Sequence, residues 1–170
     1  PFWSERYGNP GSLHAKGFEA RAALDKARET TAKAIGANVS EIIFTGSGTE
    51  SVNLALFGFC RANKQKGNHV VTQRTEHHAV LDSCKALEKE GFAVTYLDVD
   101  KYRLVSKEAL EKAIKPNTIS LTIMYANNEI GTVQNIKELA EIAHKHNVIF
   151  HTDACQAGGS LDTDVRQLQV

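Results

Sequence analysis

Four short segments carry residue types that could hold an anion or move a proton. The first, Gly46-Ser47-Gly48-Thr49-Glu50-Ser51, gathers small residues and hydroxyls where a helical pattern begins. The first amides of a helix lack intrahelical partners and the dipole is positive there, so an anion, above all a phosphate, is the natural guest. The segment has neither the third glycine of a dinucleotide fingerprint nor the Gly-Lys-Ser/Thr of a nucleotide P-loop. A flexible turn into a capped helix would have the same composition. The second segment, Thr75-Glu76-His77-His78, offers imidazoles that could stack on a flat ring, shuttle protons or bind a metal, and it reads equally as a polar surface loop. The third, Tyr125-Ala126-Asn127-Asn128-Glu129-Ile130-Gly131-Thr132, pairs two asparagines that suit a turn and also offer neutral hydrogen bonds to a ligand oxygen. In the fourth, His151-Thr152-Asp153-Ala154-Cys155-Gln156, His151 and Asp153 share one face by the two-residue strand period. A carboxylate there needs a cationic or hydrogen-bonding partner unless it caps a following helix. Cys155 has no base implied beside it and reads as a small filler. His144 and His146 cannot share a helical face and read as solvated.

The elements that must position these segments alternate in type. Apolar residues at helical spacing predict a long amphipathic helix over 13–35, with Ser12 as its N-cap and Gly36 as its stop. Strands are expected at 41–45, 69–72, 93–97, 119–125 and 148–152, and further helices over 50–56, 79–90, 106–114 and 136–146. Such alternation argues for an α/β fold of three layers, a mostly parallel sheet flanked by helices. Ligands of such sheets gather at the carboxyl ends of the strands, where all four segments fall.

Composition narrows the partners. With 20 basic and 20 acidic side chains the formal net charge is zero, which leaves no field to draw in nucleic acid or an anionic membrane. No apolar run approaches the length of a membrane span, and the N-terminus has no signal pattern. Three widely spaced cysteines, Cys60, Cys84 and Cys155, fit reduced thiols, so a cytoplasmic location is expected. The chain opens on Pro1 and closes on Leu168-Gln169-Val170, an alternation that reads as the start of another element, so a piece of a longer protein is expected.

Taken in order, five motifs resemble the large domain of the pyridoxal-phosphate-dependent class V aminotransferase superfamily, and most closely its cysteine desulfurases and selenocysteine lyases. They are Tyr7-Gly8-Asn9-Pro10-Gly11-Ser12-Leu13-His14, Phe44-Thr45-Gly46-Ser47-Gly48-Thr49-Glu50-Ser51-Val52-Asn53, Thr75-Glu76-His77-His78-Ala79-Val80-Leu81, Asn127-Asn128-Glu129-Ile130-Gly131 and His151-Thr152-Asp153-Ala154-Cys155-Gln156. The resemblance implies that residues 1–170 are part of a large domain of the type I pyridoxal-phosphate fold, without the small C-terminal domain. It implies Gly48 and Thr49 as the phosphate cradle, and His77 as the catalytic imidazole stacked on the pyridine ring. Asp153 would partner the pyridine nitrogen, and Asn127 and Gln156 would hydrogen-bond the phenolic oxygen. The implied activity removes sulfur from L-cysteine, leaving alanine and a persulfide for a sulfur acceptor such as an iron–sulfur scaffold protein, in a homodimer.

Two groups which that chemistry needs, the Schiff-base lysine and the persulfide cysteine, have no counterpart among these residues. The chain by itself is therefore expected to be inactive and to form no covalent lysine adduct with the cofactor. A selenocysteine lyase or another class V aminotransferase fits the same motifs. Two readings of other kinds remain beside it: a metal-dependent hydrolase using His77, His78, Glu129, His151 and Asp153, which lacks a recognisable ligand spacing, and a non-catalytic cofactor-binding lobe.

Overall fold

A computed structural model describes all 170 residues. Its elements run α1 (Ala15–Ala34), a 3-10 turn (Val39–Glu41), α2 (Gly48–Ala62), β1 (His69–Gln73), α3 (His78–Lys89), β2 (Ala93–Leu97), α4 (Lys107–Ala113), β3 (Thr118–Thr122), α5 (Ile136–Lys145), β4 (Ile149–His151) and α6 (Val165–Leu168). Contacts divide the chain into two units, Pro1–Phe44 with Asp164–Arg166, and Thr45–Thr163 with Gln167–Val170.

In the first unit α1 starts at His14 and not at the expected Ser12: His14 Nδ1 accepts the Gly17 amide at 3.2 Å. The helix stops as expected, because Gly36 adopts φ +68°, a conformation that carries a steric cost for any side chain. The Ala37 amide then closes back on the Ala32 carbonyl at 2.9 Å, satisfying a carbonyl that the helix end leaves open. Residues 41–45, expected as a strand, form none. Ile42 is extended (φ −91°, ψ 121°), but no β-ladder includes this stretch, and Ile43 and Phe44 are exposed.

The second unit contains the sheet, in the order β2-β1-β3-β4 with every pairing parallel. From β1 the chain moves to one edge through α3 and β2, returns through α4 to β3 on the other side of β1, and continues through α5 to β4. The direction of winding therefore reverses between β1 and β3, and a crevice at their carboxyl ends follows from that reversal. Both central strands are buried along their whole length. Successive residues of β1 face opposite layers, and a register shift where β3 pairs with it sets Ile119 and Leu121 on different faces. Val71, Leu121 and Phe150 pack with Leu110 of α4 and Ile136, Leu139 and Ala143 of α5. On the other face Val70 and Ile119 pack with Cys60 of α2 and Leu87 of α3, and above them Val52 and Leu56 meet Val80 and Cys84. The three layers expected from the alternation are present in this unit.

One imidazole at the start of β1 ties this strand to β2 and β3. His69, fully buried, exchanges hydrogen bonds with Thr118 Oγ1 through Nδ1 (2.7 Å) and with Thr95 Oγ1 through Nε2 (2.8 Å). At the other end β3 leaves its ladder at Thr122, earlier than the expected 125, yet the amides of Ile123 and Tyr125 still reach the carbonyls of His151 and Asp153. The backbone that follows β3 is thus held at the mouth of the crevice.

Candidate cofactor site

All four chemistry-bearing segments meet around a cleft of about 250 Å³, the third contributing through Asn128. That is near the small end of ligand pockets, which run to about 300–1,000 Å³. One wall is the start of α2. Ser47 caps the helix by accepting the Glu50 amide at 3.2 Å, and the Glu50 carboxylate turns back to the Gly46 amide at 2.6 Å. This leaves the amides of Gly48 and Thr49 as the open donors at the helix end, and both residues line the cleft. A side chain on Gly48 has no room, since its Cβ would stand 2.8 Å from Cys155 Sγ. The backbone is therefore the surface that a ligand meets at this point.

His77 forms a second wall. It precedes α3 and caps it, with Nδ1 accepting the Ala79 amide at 3.1 Å. The neutral ring then carries its proton on Nε2. Met124, buried just after β3, lines the cleft as well. Opposite lies Asp153, 7% exposed, whose Oδ1 accepts the Cys155 amide at 3.0 Å. Burial, with the hydrogen bond and charge of Asp153 added, pushes the Cys155 thiol up to about 11, so it is neutral at physiological pH. His151, two residues before Asp153, bonds Thr122 Oγ1 at 2.8 Å through Nδ1. Desolvation lowers its pKa against the pull of Asp153.

Of the sequence-predicted residues, Gly48, Thr49, His77, Asp153 and Gln156 all line the cleft. Asn127 is differently employed: its Nδ2 donates to the Thr75 carbonyl at 2.9 Å, and its Oδ1 accepts the amides of Glu129 and Ile130. Its neighbour Asn128 is the asparagine that lines this cleft. The groups of the metal-hydrolase reading do not converge, for no three histidine, cysteine or acidic side chains are gathered as a metal site. Sequence reasoning gave no role to Met124 or to Glu76, whose Oε1 accepts the Met124 amide. The one available signal for Glu76 was an acid set between a buried strand and a buried helix face.

Open helix-start amides, a capped imidazole and a buried carboxylate around one cleft of a parallel sheet define an α/β lobe with a candidate cofactor site. The chain belongs to the aminotransferase class-V family, whose model matches residues 1–170. It is 50% identical over its whole length to the cysteine desulfurase IscS of Dictyoglomus turgidum, covering 43% of that protein. It is 49% identical to the IscS of Methanosarcina thermophila, covering 42%. Among solved structures, a NifS-like protein matches with a TM-score of 0.96 at 39% identity over 99% of this chain and 47% of that one. SspA in complex with cysteine matches with a TM-score of 0.96 at 40% identity, over 100% of this chain and 49% of the other. The chain thus spans less than half the length of these relatives. Class V aminotransferases and cysteine desulfurases are pyridoxal-phosphate-dependent enzymes.

The residues present fit that group. Open amides at the start of α2, a glycine whose missing side chain keeps the cradle bare, and a buried carboxylate across the cleft match a ligand with a phosphate at one end and a basic ring nitrogen at the other.

Proposed function

We propose that the chain forms the cofactor-holding part of a cysteine desulfurase, which takes sulfur from L-cysteine and passes it to a thiol as a persulfide, leaving alanine. The observation that carries the reading is the convergence of Gly48, Thr49, His77 and Asp153 on one cleft in a chain half identical to cysteine desulfurases. Pyridoxal 5′-phosphate, when bound, supplies a ring that withdraws electrons from the substrate's α-carbon. The amides of Gly48 and Thr49 bind the phosphate. The Asp153 carboxylate favours a proton on the pyridine nitrogen. His77, fixed by its bond to Ala79, covers the ring and holds a proton at Nε2 for transfer at the α-carbon. Gln156 serves the phenolic oxygen from the cleft wall, and Asn127, held by the Thr75 carbonyl, fixes the loop that presents Asn128 there.

No lysine lines the cleft, so these residues bind the cofactor without a covalent bond. The remaining parts of the reading are a homodimer, a cytoplasmic location and an iron–sulfur scaffold protein as acceptor. No helix is long and apolar enough to cross a membrane. The test is to express the complete open reading frame that encodes this chain and supply L-cysteine with a thiol reductant. Alanine and sulfide in equal amounts are expected, and the absence of alanine from the protein loaded with pyridoxal 5′-phosphate would overturn the reading.

A further inference from the structure

Glu76 is a buried acid of the cleft region to which the proposed function assigns no role. It lies between β1 and His77, is 6% exposed, and spends Oε1 on the Met124 amide at the end of β3. That bond crosses the crevice where the winding of the sheet reverses, and it joins the loop of one cleft residue, His77, to another, Met124. Its other oxygen, Oε2, is buried with no hydrogen-bond partner. We propose that Glu76 is a positioning residue that acts as a neutral acid, pinning the His77 loop to the end of β3 and leaving Asp153 as the one negative side chain beside the ring.

The surroundings explain why the proton stays. Gln73 faces Glu76 from the end of β1, the Met124 amide from β3, the Cys84 thiol from α3, and Asp153 from beyond β4. None of these is a cation. The nearest arginine in sequence, Arg74, is turned outward to Asp98 at 2.7 Å. An ionised Glu76 would be a buried charge beside a second carboxylate, and such pairs keep one proton. Burial, then Asp153, push this carboxyl up to about 8 against the hydrogen bond from Met124 and the influence of the neighbouring Gln73 amide. In the unfolded chain the same group ionises near 4.5. The folded state therefore holds a proton that the unfolded state releases, and the carboxyl costs stability increasingly from pH 4.5 up to about 8, after which the cost is constant.

The inference deepens the cofactor reading and rests on it for the identity of the ring. Glu76→Gln keeps the acceptor for Met124 and removes the titration. Glu76→Leu is also neutral but cannot accept. Melting temperature is measured across pH, together with hydrogen exchange of the Met124 amide without cofactor. Expected is a gap between Glu76→Gln and the parent protein that widens in favour of the variant up to pH 8 and then levels off. Met124 exchange should stay within about threefold of the parent in Glu76→Gln and rise about tenfold in Glu76→Leu, the loss of one hydrogen bond. Glu76→Ala serves the same comparison should the leucine variant not fold. A gap that does not change with pH overturns the neutral acid, and unchanged Met124 exchange in the variant lacking the acceptor overturns the pin. A third arm titrates each protein with pyridoxal 5′-phosphate at pH 6.5, where Glu76→Gln should bind within about threefold of the parent. Absence of binding by the parent protein would remove the cofactor reading while the first two measurements still decide Glu76.

Discussion

Cys155 Sγ occupies the space in which a side chain on Gly48 would begin, 2.8 Å from the position of its Cβ. The thiol and the glycine belong to opposite walls of the cleft, so the cradle keeps its width only if one of them stays small. Gly48→Ala is therefore expected to weaken binding of pyridoxal 5′-phosphate by about tenfold or more, as the methyl displaces both the sulfur and the approaching phosphate. Adding Cys155→Ala should recover part of the loss. Fluorescence titration of the two variants measures it, and equal affinities in the single and double variants would mean that the sulfur is not the obstacle.

Asp153 also governs the sulfur next to it. Its hydrogen bond and charge help to hold the Cys155 thiol at about 11. Asp153→Asn should lower that value and speed alkylation of Cys155 by iodoacetamide at pH 8, about tenfold for each unit of the shift. Cys60 and Cys84, raised to about 11 and about 12 by burial, should stay unreactive in the folded protein. Peptide mapping after timed alkylation separates the three sites. In the same variant, bound cofactor should show an altered absorption maximum, because the ring nitrogen loses the charge that favours its proton.

At the amino end of the sheet, His69 should make stability sensitive to acid. Desolvation lowers its pKa, with Lys115 acting in the same direction, so the fold favours the neutral ring bonded to Thr118 and Thr95. Its contribution is complete above ~6.5 and declines as the pH falls below that value, where the unfolded chain takes up the proton first. His69→Ala should cost roughly 2–4 kcal/mol at pH 7.5 through two lost bonds and a cavity, and should flatten part of the acid slope. Urea titrations at several pH values test both, with His151, whose pKa is lowered by desolvation, contributing slope of the same sign.

Gln134 presents a different kind of weakness. Only 5% exposed, it accepts the Val105 amide at 3.0 Å and donates to Gln73 Oε1 at 3.1 Å and to the Arg103 carbonyl at 2.7 Å. Gln134→Ala leaves three groups unpaired, and a loss of about 2–4 kcal/mol is expected from denaturant unfolding. Gln134→Leu should not restore it, since volume is not what is missing.

Much of the sheet could be read from the sequence because its signals are local. Ala93–Leu97 forms β2 over the span that its alternation marks, and Gly36 ends α1 through a backbone conformation suited to glycine. The stretch 41–45 misled because Ile42, Ile43 and Phe44 favour a pleated surface, whereas a strand exists only where a partner ladder lies beside it, and none does here. Ser12 is the better cap by residue type, yet His14 is the residue placed where a ring nitrogen meets the Gly17 amide. In the site, the placement of Gly48 at the cleft was legible from the helical pattern that it opens, and that of His77 and Asp153 from the strands that they follow. Nothing in the spacing of two adjacent asparagines distinguished Asn127, held by Thr75, from Asn128, which faces the cleft. Nor could the burial of Glu76 be read, for it depends on a backbone amide contributed by the loop after a different strand.

The crevice between the ends of β1 and β3 is crossed by Glu76 to Met124, Asn127 to Thr75, and Gln134 to Gln73. All three crossings are made between the protein's own side chains and backbone, with no ligand atom as a partner. The loops that would otherwise have to be ordered around a guest are fixed by folding itself, and the site is preorganised. Association then carries little of the entropic penalty that mobile loops impose, and the residence time of the cofactor should depend on how often these three crossings break together.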